Sequence, residues 1–451
     1  MLRLLDETGL RVLDDGLRAT LAERGFRVQG ERLLIEPSVV REFLAEERRR
    51  DDQGLAAGPV VVDDPADEIT LYVSPYPQHV HDLPSDRIVP FTVDRLIEAT
   101  KLLDALFDRG VTSSPPGVPT DVPPALQPVV QYWVAATYSR QGCGPPDPKA
   151  EVTFPHVAGM ADALGHPIRH LPVYVFSPLT LGGESLRCVL RFRDRLQGIG
   201  VNSMPSPGCT APINVGDAFA LSAAEVLGSV ILLREALGLP VHWHIAIHPI
   251  DLRSMAMVFG SPESTLFELA SREVNAHFGG TQWTPWADNM HTNAKLPGAQ
   301  ASAEKASLMT FGALLGGRHF GAAGTLSLDE VFSAEQLLYD IEIKDHVQRL
   351  ARGLDAATDP DRCLAEVSEG LLAGGFTGLD STLAAYRDVY WHPQLFDRDF
   401  LSAWQARGTP GIRERVRTMA AGLVAQHDYR LPDDQQAEID RLLAQAKAEL
   451  T

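Results

Sequence analysis

Between Val93 and Thr377 the chain alternates short β-branched runs with longer segments of helical periodicity, and few folds accept that pattern. Helices are predicted at 93–107, 126–138 and 333–350, and strands at 111–114, 152–154, 173–176, 200–204 and 319–322, with a weaker one at 375–377. Successive parallel strands need a crossover, which a helix usually supplies. Seven or eight such units predict an α/β chain built as a closed (β/α)8 TIM-type barrel over 91–398, rather than an open sheet. Residues 1–90 read as an N-terminal helical extension with a small hairpin. In it, Leu4, Leu5, Val12, Leu13, Leu17 and Leu21 lie near helical spacing, Glu31 to Ile35 is extended, and Pro37 opens a helix. The hairpin joins Val60-Val61-Val62 to Ile69-Thr70-Leu71-Tyr72-Val73, and an irregular stretch follows from Pro75 to Pro90. Residues 399–451 are expected to be C-terminal helices packed on the barrel.

Within the alternation, the stretch from Pro240 to Glu304 concentrates the chemistry. Val241 to His248 alternates with period two, so His242, His244, Ala246 and His248 share one side and Val241, Trp243, Ile245 and Ile247 the other. Gly260-Ser261-Pro262-Glu263 reads as a helix start with Ser261 as cap, and Phe278-Gly279-Gly280 as its stop. A second strand is predicted at Thr281 to Pro285, with an exit loop from Trp286 to Lys295 that holds Asp288 and His291. Histidines, tryptophans and acids thus gather where strands give way to helices, which in a β/α barrel is the mouth of the active site.

Acidic residues outnumber basic ones 59 to 40, for a formal net charge of −19. That balance argues against nucleic acid and anionic membrane as partners, since both need basic surface. No apolar run is expected to approach the roughly 20 residues of a membrane helix, and the N-terminus reads as an amphipathic helix and not a signal peptide. The four cysteines are too scattered for a disulfide scaffold, so a reducing cytoplasm is expected.

Each motif carries two readings. His242, His244 and His248 could ligate a metal with Asp251, Asp288 or His291, or could hydrogen-bond within a polar mouth; the ligand set is incomplete and no metal is expected. Trp283 and Trp286 could wall a quaternary ammonium group, which offers no N–H and is held by aromatic faces, or could pack; Trp243 is expected to pack in the core. The loop Ser206 to Pro212 could offer amides to an anion, and its Cys209 is expected to be packed. Ser327-Leu328-Asp329-Glu330 and Ser333-Ala334-Glu335-Gln336 both fit a capping box. Gln300 and Glu304 share a helix face at i, i+4 and either pair there or point to the mouth. No phosphate-binding glycine loop, nucleophile elbow or paired CxxC is present.

Several of these pieces, in order, resemble the corrinoid-dependent trimethylamine methyltransferase family from Leu5 to about Leu443. They include Asp121-Val122-Pro123, Ser177-Pro178-Leu179, Gly208-Cys209-Thr210-Ala211-Pro212, Ala224-Glu225 and Asp251 with Arg253. Gly260-Ser261-Pro262-Glu263, Lys295 with Gln300 and Glu304, Ser333 with Glu335-Gln336-Leu337, and Asp340 complete the set. The chain departs from the family at Asn293, Gly298 and Ser381-Thr382, in its histidines at 242, 244 and 248, and in containing no pyrrolysine. The resemblance implies a barrel that moves a methyl group from an amine to the Co(I) of a corrinoid (cobalamin) carried on a separate corrinoid-binding protein, this chain binding no cofactor itself. Members without pyrrolysine imply a quaternary amine such as a betaine, or else a tertiary one.

On that reading Glu304, Asp288 and His244 are the expected catalytic residues. Trp283, Trp286, His242, His248, His291 and Gln300 are expected to bind the small methylated amine, with no metal. A homo-oligomer is compatible with the sequence. Two alternatives stay open: a metal-dependent hydrolase built on His242 and His244, and a non-catalytic barrel subunit.

Overall fold

Six parallel strands form two arcs in the computed structural model, which describes residues 1–52, 67–112, 115–142, 150–279, 289–354 and 356–450. One arc orders His319–Phe320, Thr70–Tyr72 and Val111–Thr112, with His319 opposite Thr70 and Leu71 opposite Val111. The other orders His170–Phe176, Gly198–Ser203 and Val241–Trp243. A parallel bridge between Asn289 and Gly321 lies beyond the end of the first arc. Read around the arcs, the strands follow chain order and return to Thr70, the circular order that a β/α barrel requires.

Among the described residues, however, the ring does not close into eight paired strands. The strand expected at 152–154 is instead the start of the helix Phe154–Ala163, where Pro155 suits the first turn and cannot donate to a ladder. The strand expected at 281–285 lies outside the described residues.

The N-terminal part also differs from its expectation. Gly9, at φ 67, ends the turn Leu4–Thr8, and Leu10–Val12 then forms a strand whose ends are buried and whose centre is exposed. That strand pairs with Thr180–Leu181 and with Arg32–Leu34, extending the second arc into a seven-stranded sheet. Of the hairpin expected before Ser74, the Val60–Val62 half lies outside the described residues, while Thr70–Tyr72 is a strand of the first arc. The hairpin in this region is His79–Asp82 with Arg87–Pro90, in the stretch expected to be irregular. The strand expected at 375–377 is a turn after the helix Pro360–Ala373, which Gly374 ends in the left-handed region. The helix Ile412–Ala425 packs on Val93–Ala105 and Ala334–Ala351, and Asp433–Leu450 packs on Gln127–Tyr138 and Phe154–Ala163.

At the centre lies the helix Val215–Leu237. It is long and apolar enough to cross a membrane, contrary to the sequence expectation, and 78% of its most apolar stretch is buried inside the protein. Its Glu225 has no exposed surface and accepts hydrogen bonds from Ser177 Oγ at 2.8 Å and Leu179 N at 2.9 Å. Burial pushes that carboxyl above its ordinary range, while the two donors oppose the shift. One turn on, Gly228 leaves room for the N-terminal lobe: a Cβ there would lie 2.3 Å from Leu10 Cδ1 and 2.7 Å from Leu5 Cδ2.

Gly228→Val is therefore expected to destabilise the protein by about 1–3 kcal/mol through overpacking. Urea denaturation followed by far-UV circular dichroism measures it; an unchanged midpoint would show that the lobe is not seated as described.

Candidate functional site

Side-chain alternation carries the second arc beyond its last ladder pair. Val241, Trp243, Ile245 and Ile247 are buried, and His242, His244, Ala246 and His248 are half-buried, as the period-two pattern requires. The ladder stops at Trp243, but side chains and a neighbouring loop take over its hydrogen bonds. Asn275 Oδ1 accepts from Ile245 N at 2.9 Å and its Nδ2 donates to Ile245 O at 2.8 Å, mimicking a paired strand. Ser222 Oγ donates to Ala246 O at 2.7 Å, and His248 N donates to Pro205 O at 2.9 Å.

These supports separate the histidines. His242 lies across from Gly200 in the register, near His170 at a ring distance of 6.2 Å. Six residues of extended chain span about 20 Å, so His242 belongs to the strand's beginning and not to its mouth. His248 instead meets Phe259 edge to face at 5.4 Å, and Phe259 meets His291 in the same way at 5.3 Å. Burial lowers the His248 pKa to about 4, and the nearby His244 and His291 push it the same way. His248 is thus a neutral ring at neutral pH.

His291 is held from both sides. Its Nδ1 lies 2.5 Å from Asn289 Oδ1, and its Nε2 lies 3.1 Å from Asp329 Oδ2. Burial acts to raise the Asp329 pKa, but the hydrogen bond and charge of His291, the Ser74 hydroxyl and the charge of Lys305 outweigh it and hold the carboxyl low. Its Oδ1 is shielded and makes no regular hydrogen bond among the described residues.

Glu304 closes the same floor from beneath. Thr292 Oγ1 and Asn293 N donate to its Oε2 at 2.5 and 3.0 Å, and Gln300 Nε2 donates to its Oε1 at 2.8 Å. A Cβ at Gly260 would sit 2.5 Å from Glu304 Oε2, so the residue after Phe259 must be bare for this contact. Asn293, a departure from the family pattern, donates to Met257 O at 2.8 Å and so ties the His291 loop to the Phe259 loop. Ser261 occupies the N-cap of the helix Pro262–Phe278, but its hydroxyl makes no cap bond.

The loop carrying Asp329 is suspended from a buried ion pair. Lys305 Nζ reaches Asp340 Oδ2 and Ala322 O, both at 2.8 Å, and neither charged side chain has exposed surface. Gly324 N and Gln336 Nε2 supply two further bonds to Asp340, at 2.7 and 2.8 Å. Burial lowers the lysine pKa and raises that of the aspartate, and their attraction opposes both shifts. The loop then runs through left-handed conformations at Ala322, Ser327 and Leu328, with φ of 63°, 51° and 62°. Non-glycine residues seldom adopt these, and they cluster at functional sites.

The structure thus brings together His248, His291, Gln300 and Glu304 of the expected residues, with His244 close enough to act on His248. It places His242 elsewhere, while Trp283, Trp286 and Asp288 lie outside the described residues. Sequence reasoning missed Phe259 and Asp329. Ser327-Leu328-Asp329-Glu330 matches a capping box, yet it forms a turn in which Ser327 Oγ donates to Glu330 and accepts from Lys295 Nζ at 2.7 Å. Ser333 does cap its helix, accepting from Gln336 N at 3.2 Å. Cys209 is exposed, contrary to the packed position expected.

Metal-like spacing occurs among the described residues at His81, Asp86 and Glu335, away from these loops. Arg413 hydrogen-bonds both of those carboxylates, so a guanidinium already holds the cation position there.

Comparison with known proteins places this geometry in a family. The model of the trimethylamine methyltransferase (MTTB) family matches residues 1–451, and the chain belongs to that family. It is 25% identical over 287 residues to the trimethylamine methyltransferase MttB2 of Methanosarcina mazei, covering 62% of this chain. It spans only 57% of the length of that curated relative. To the glycine betaine methyltransferase of Desulfitobacterium hafniense it is 23% identical over 424 residues, covering 89% of this chain and 85% of the relative. Among solved structures, the hydroxylamine complex of MtmB aligns over 94% of this chain and 91% of its own, with 12% identity and a TM-score of 0.44.

Two outcomes follow from the site's electrostatics. The His248 pKa is depressed in the fold, so the unfolded chain binds more protons between about pH 6.5 and 4; stability falls as pH drops through that window and levels below it. His248→Phe is expected to remove about 1–3 kcal/mol of that loss, read from denaturation midpoints against pH; an identical profile would refute the neutral buried ring. Lys305→Met leaves Asp340 buried without its partner and is expected to cost about 3–5 kcal/mol, while Lys305→Met with Asp340→Leu recovers much of it. Equal midpoints for the single and double variants would contradict the pairing.

Proposed function

We propose that this chain takes a methyl group from a small quaternary amine and delivers it to the Co(I) of a corrinoid carried on a separate protein. Family membership over the whole chain supports the reaction class. The observation that carries the substrate class is the Phe259 ring set between His248 and His291, with the Asp329 carboxylate next to His291.

The donor set fits a methylated ammonium. Such a group has a diffuse positive charge, no N–H, and methyl surface that prefers an aromatic neighbour to water. Asp329 supplies the counter-charge and Phe259 the apolar face. A betaine-like substrate adds a carboxylate, which we assign to the half-buried His244, since both ring nitrogens of His291 are engaged by Asn289 and Asp329. The corrinoid, when its carrier docks, supplies the nucleophilic cobalt. At the amine, the carbon–nitrogen bond breaks, its electron pair stays on nitrogen, and a neutral tertiary amine leaves with no proton transferred. The chain's residues therefore hold the nitrogen still, exclude water and aim one methyl outward. Glu304 acts by fixing the Thr292 and Gly260 loops around that position.

The assay uses the purified chain with its cognate corrinoid protein reduced to Co(I), and follows loss of the Co(I) absorbance. Betaines, choline, carnitine and tertiary amines are tested in turn. A quaternary amine is expected to react, and Asp329→Asn to lower kcat/KM about 10- to 100-fold. Phe259→Leu should cost about 0.5–2 kcal/mol of transition-state stabilisation if the cation rests on its ring. No reaction with any of these amines would overturn the proposal; full activity of Asp329→Asn would overturn the assigned counter-charge.

A further inference from the structure

The acids of the candidate site already hold partners. Asp329 Oδ2 lies 3.1 Å from His291 Nε2. Glu304 Oε2 accepts from Thr292 Oγ1 and Asn293 N, and its Oε1 accepts from Gln300 Nε2. Of these four oxygens only Asp329 Oδ1 makes no regular hydrogen bond among the described residues, and it is shielded from solvent. An N–H on a ligand therefore has to compete for an oxygen that has a donor, whereas the negative charge still acts on any cation through space.

Beside these acids stands an uncharged wall. The half-buried Phe259 ring meets His248 at an interplanar angle of 63° and His291 at 66°. Burial keeps His248 neutral at neutral pH, so it adds ring surface without a positive charge. Met257, two residues before Phe259, brings a thioether whose Sδ lies 3.6 Å from Ser206 Oγ. An aromatic face attracts a cation through its quadrupole, which responds to charge and distance and not to the element that bears the charge.

Such a site sorts cations by whether they carry an N–H. A quaternary ammonium shows its surroundings only carbon, with the nitrogen enclosed. A sulfonium shows carbon and a lone pair, with the same single charge and again no N–H. A protonated tertiary amine has the same three carbons as a sulfonium but carries an N–H, which must leave water for an oxygen that is already engaged. On the methyl-transfer reading given above, we propose that this chain also takes methyl groups from small methylated sulfonium ions and discriminates against amines that carry an N–H. The carbon–sulfur bond breaks with its electron pair left on sulfur, and the new carbon–cobalt bond takes both its electrons from Co(I). A neutral thioether leaves, and no proton moves. A thioether is a weaker base than an amine and so the better leaving group.

Isothermal titration calorimetry of the full chain alone, at neutral pH, tests the binding with three probes. Trimethylsulfonium is expected to bind within about tenfold of tetramethylammonium, which has one more methyl to bury. It is expected to bind at least about tenfold more tightly than protonated trimethylamine, which differs from it by an N–H in place of the lone pair. Phe259→Leu should weaken trimethylsulfonium and tetramethylammonium by one common factor, about 2- to 30-fold. Transfer is then read as loss of Co(I) absorbance in the cognate corrinoid protein. Trimethylsulfonium and dimethylsulfonioacetate should react faster with the chain than without it, giving dimethyl sulfide and methylthioacetate. No binding of trimethylsulfonium, equal binding of protonated trimethylamine, or a Phe259→Leu loss confined to one of the two ions would each overturn the proposal. Sulfonium transfer that the chain does not accelerate, while a quaternary amine reacts, would overturn it and leave the amine reading standing. Silence of both classes would overturn both. Reaction of the sulfonium ions alone would uphold the proposal and remove the amine as donor.

Discussion

Two opposite charges with no exposed surface, Lys305 and Asp340, determine the shape of the candidate site. Removing both from water is costly, and the attraction between them offsets that cost only when every remaining donor and acceptor finds a partner. Here Ala322 O, Gly324 N and Gln336 Nε2 complete the set. The same bonds fix both ends of a tight turn, and the loop beyond it places Asp329 beside His291. His291 then bears on Phe259 and Phe259 on His248. The order of the site thus depends on a polar pair in the interior rather than on anything at its surface.

How much of this was legible in the sequence depended on the distance over which each interaction acts. The alternation from Val241 to His248 fixed one buried and one half-buried side, because strand periodicity is local. Whether that segment had a neighbour was not local, and Asn275, thirty residues away, supplies the pairing that a strand would have supplied. Thr70–Tyr72 looked like half of a hairpin because its partners, Val111–Thr112 and His319–Phe320, are remote in the chain. Leu10–Val12 looked helical because leucine spacing near 3.6 does not reveal the break that Gly9 imposes.

Asp329 shows a different failure. A serine three residues before a glutamate describes a helix cap and a left-handed turn equally well, and only the backbone angles at Ser327 and Leu328 separate them. Family resemblance found Glu304 and Gln300 through their spacing, yet their hydrogen bonds show side chains that brace loops. Phe259 carried no signal at all: one aromatic residue before a glycine has many ordinary explanations.

The helix Val215–Leu237 has a consequence for synthesis. By length and apolar composition alone, this segment meets the requirement for a bilayer-spanning helix. Its cover includes Leu5, Leu10 and Ile35, which leave the ribosome about two hundred residues earlier and meet it at Gly228. The nascent chain therefore already holds part of the surface that will shield its most apolar helix, whereas the sheet strand Val241–Trp243 arrives only afterwards. Loss of the N-terminal lobe would uncover apolar helix surface around Gly228 and leave the emerging chain prone to aggregation.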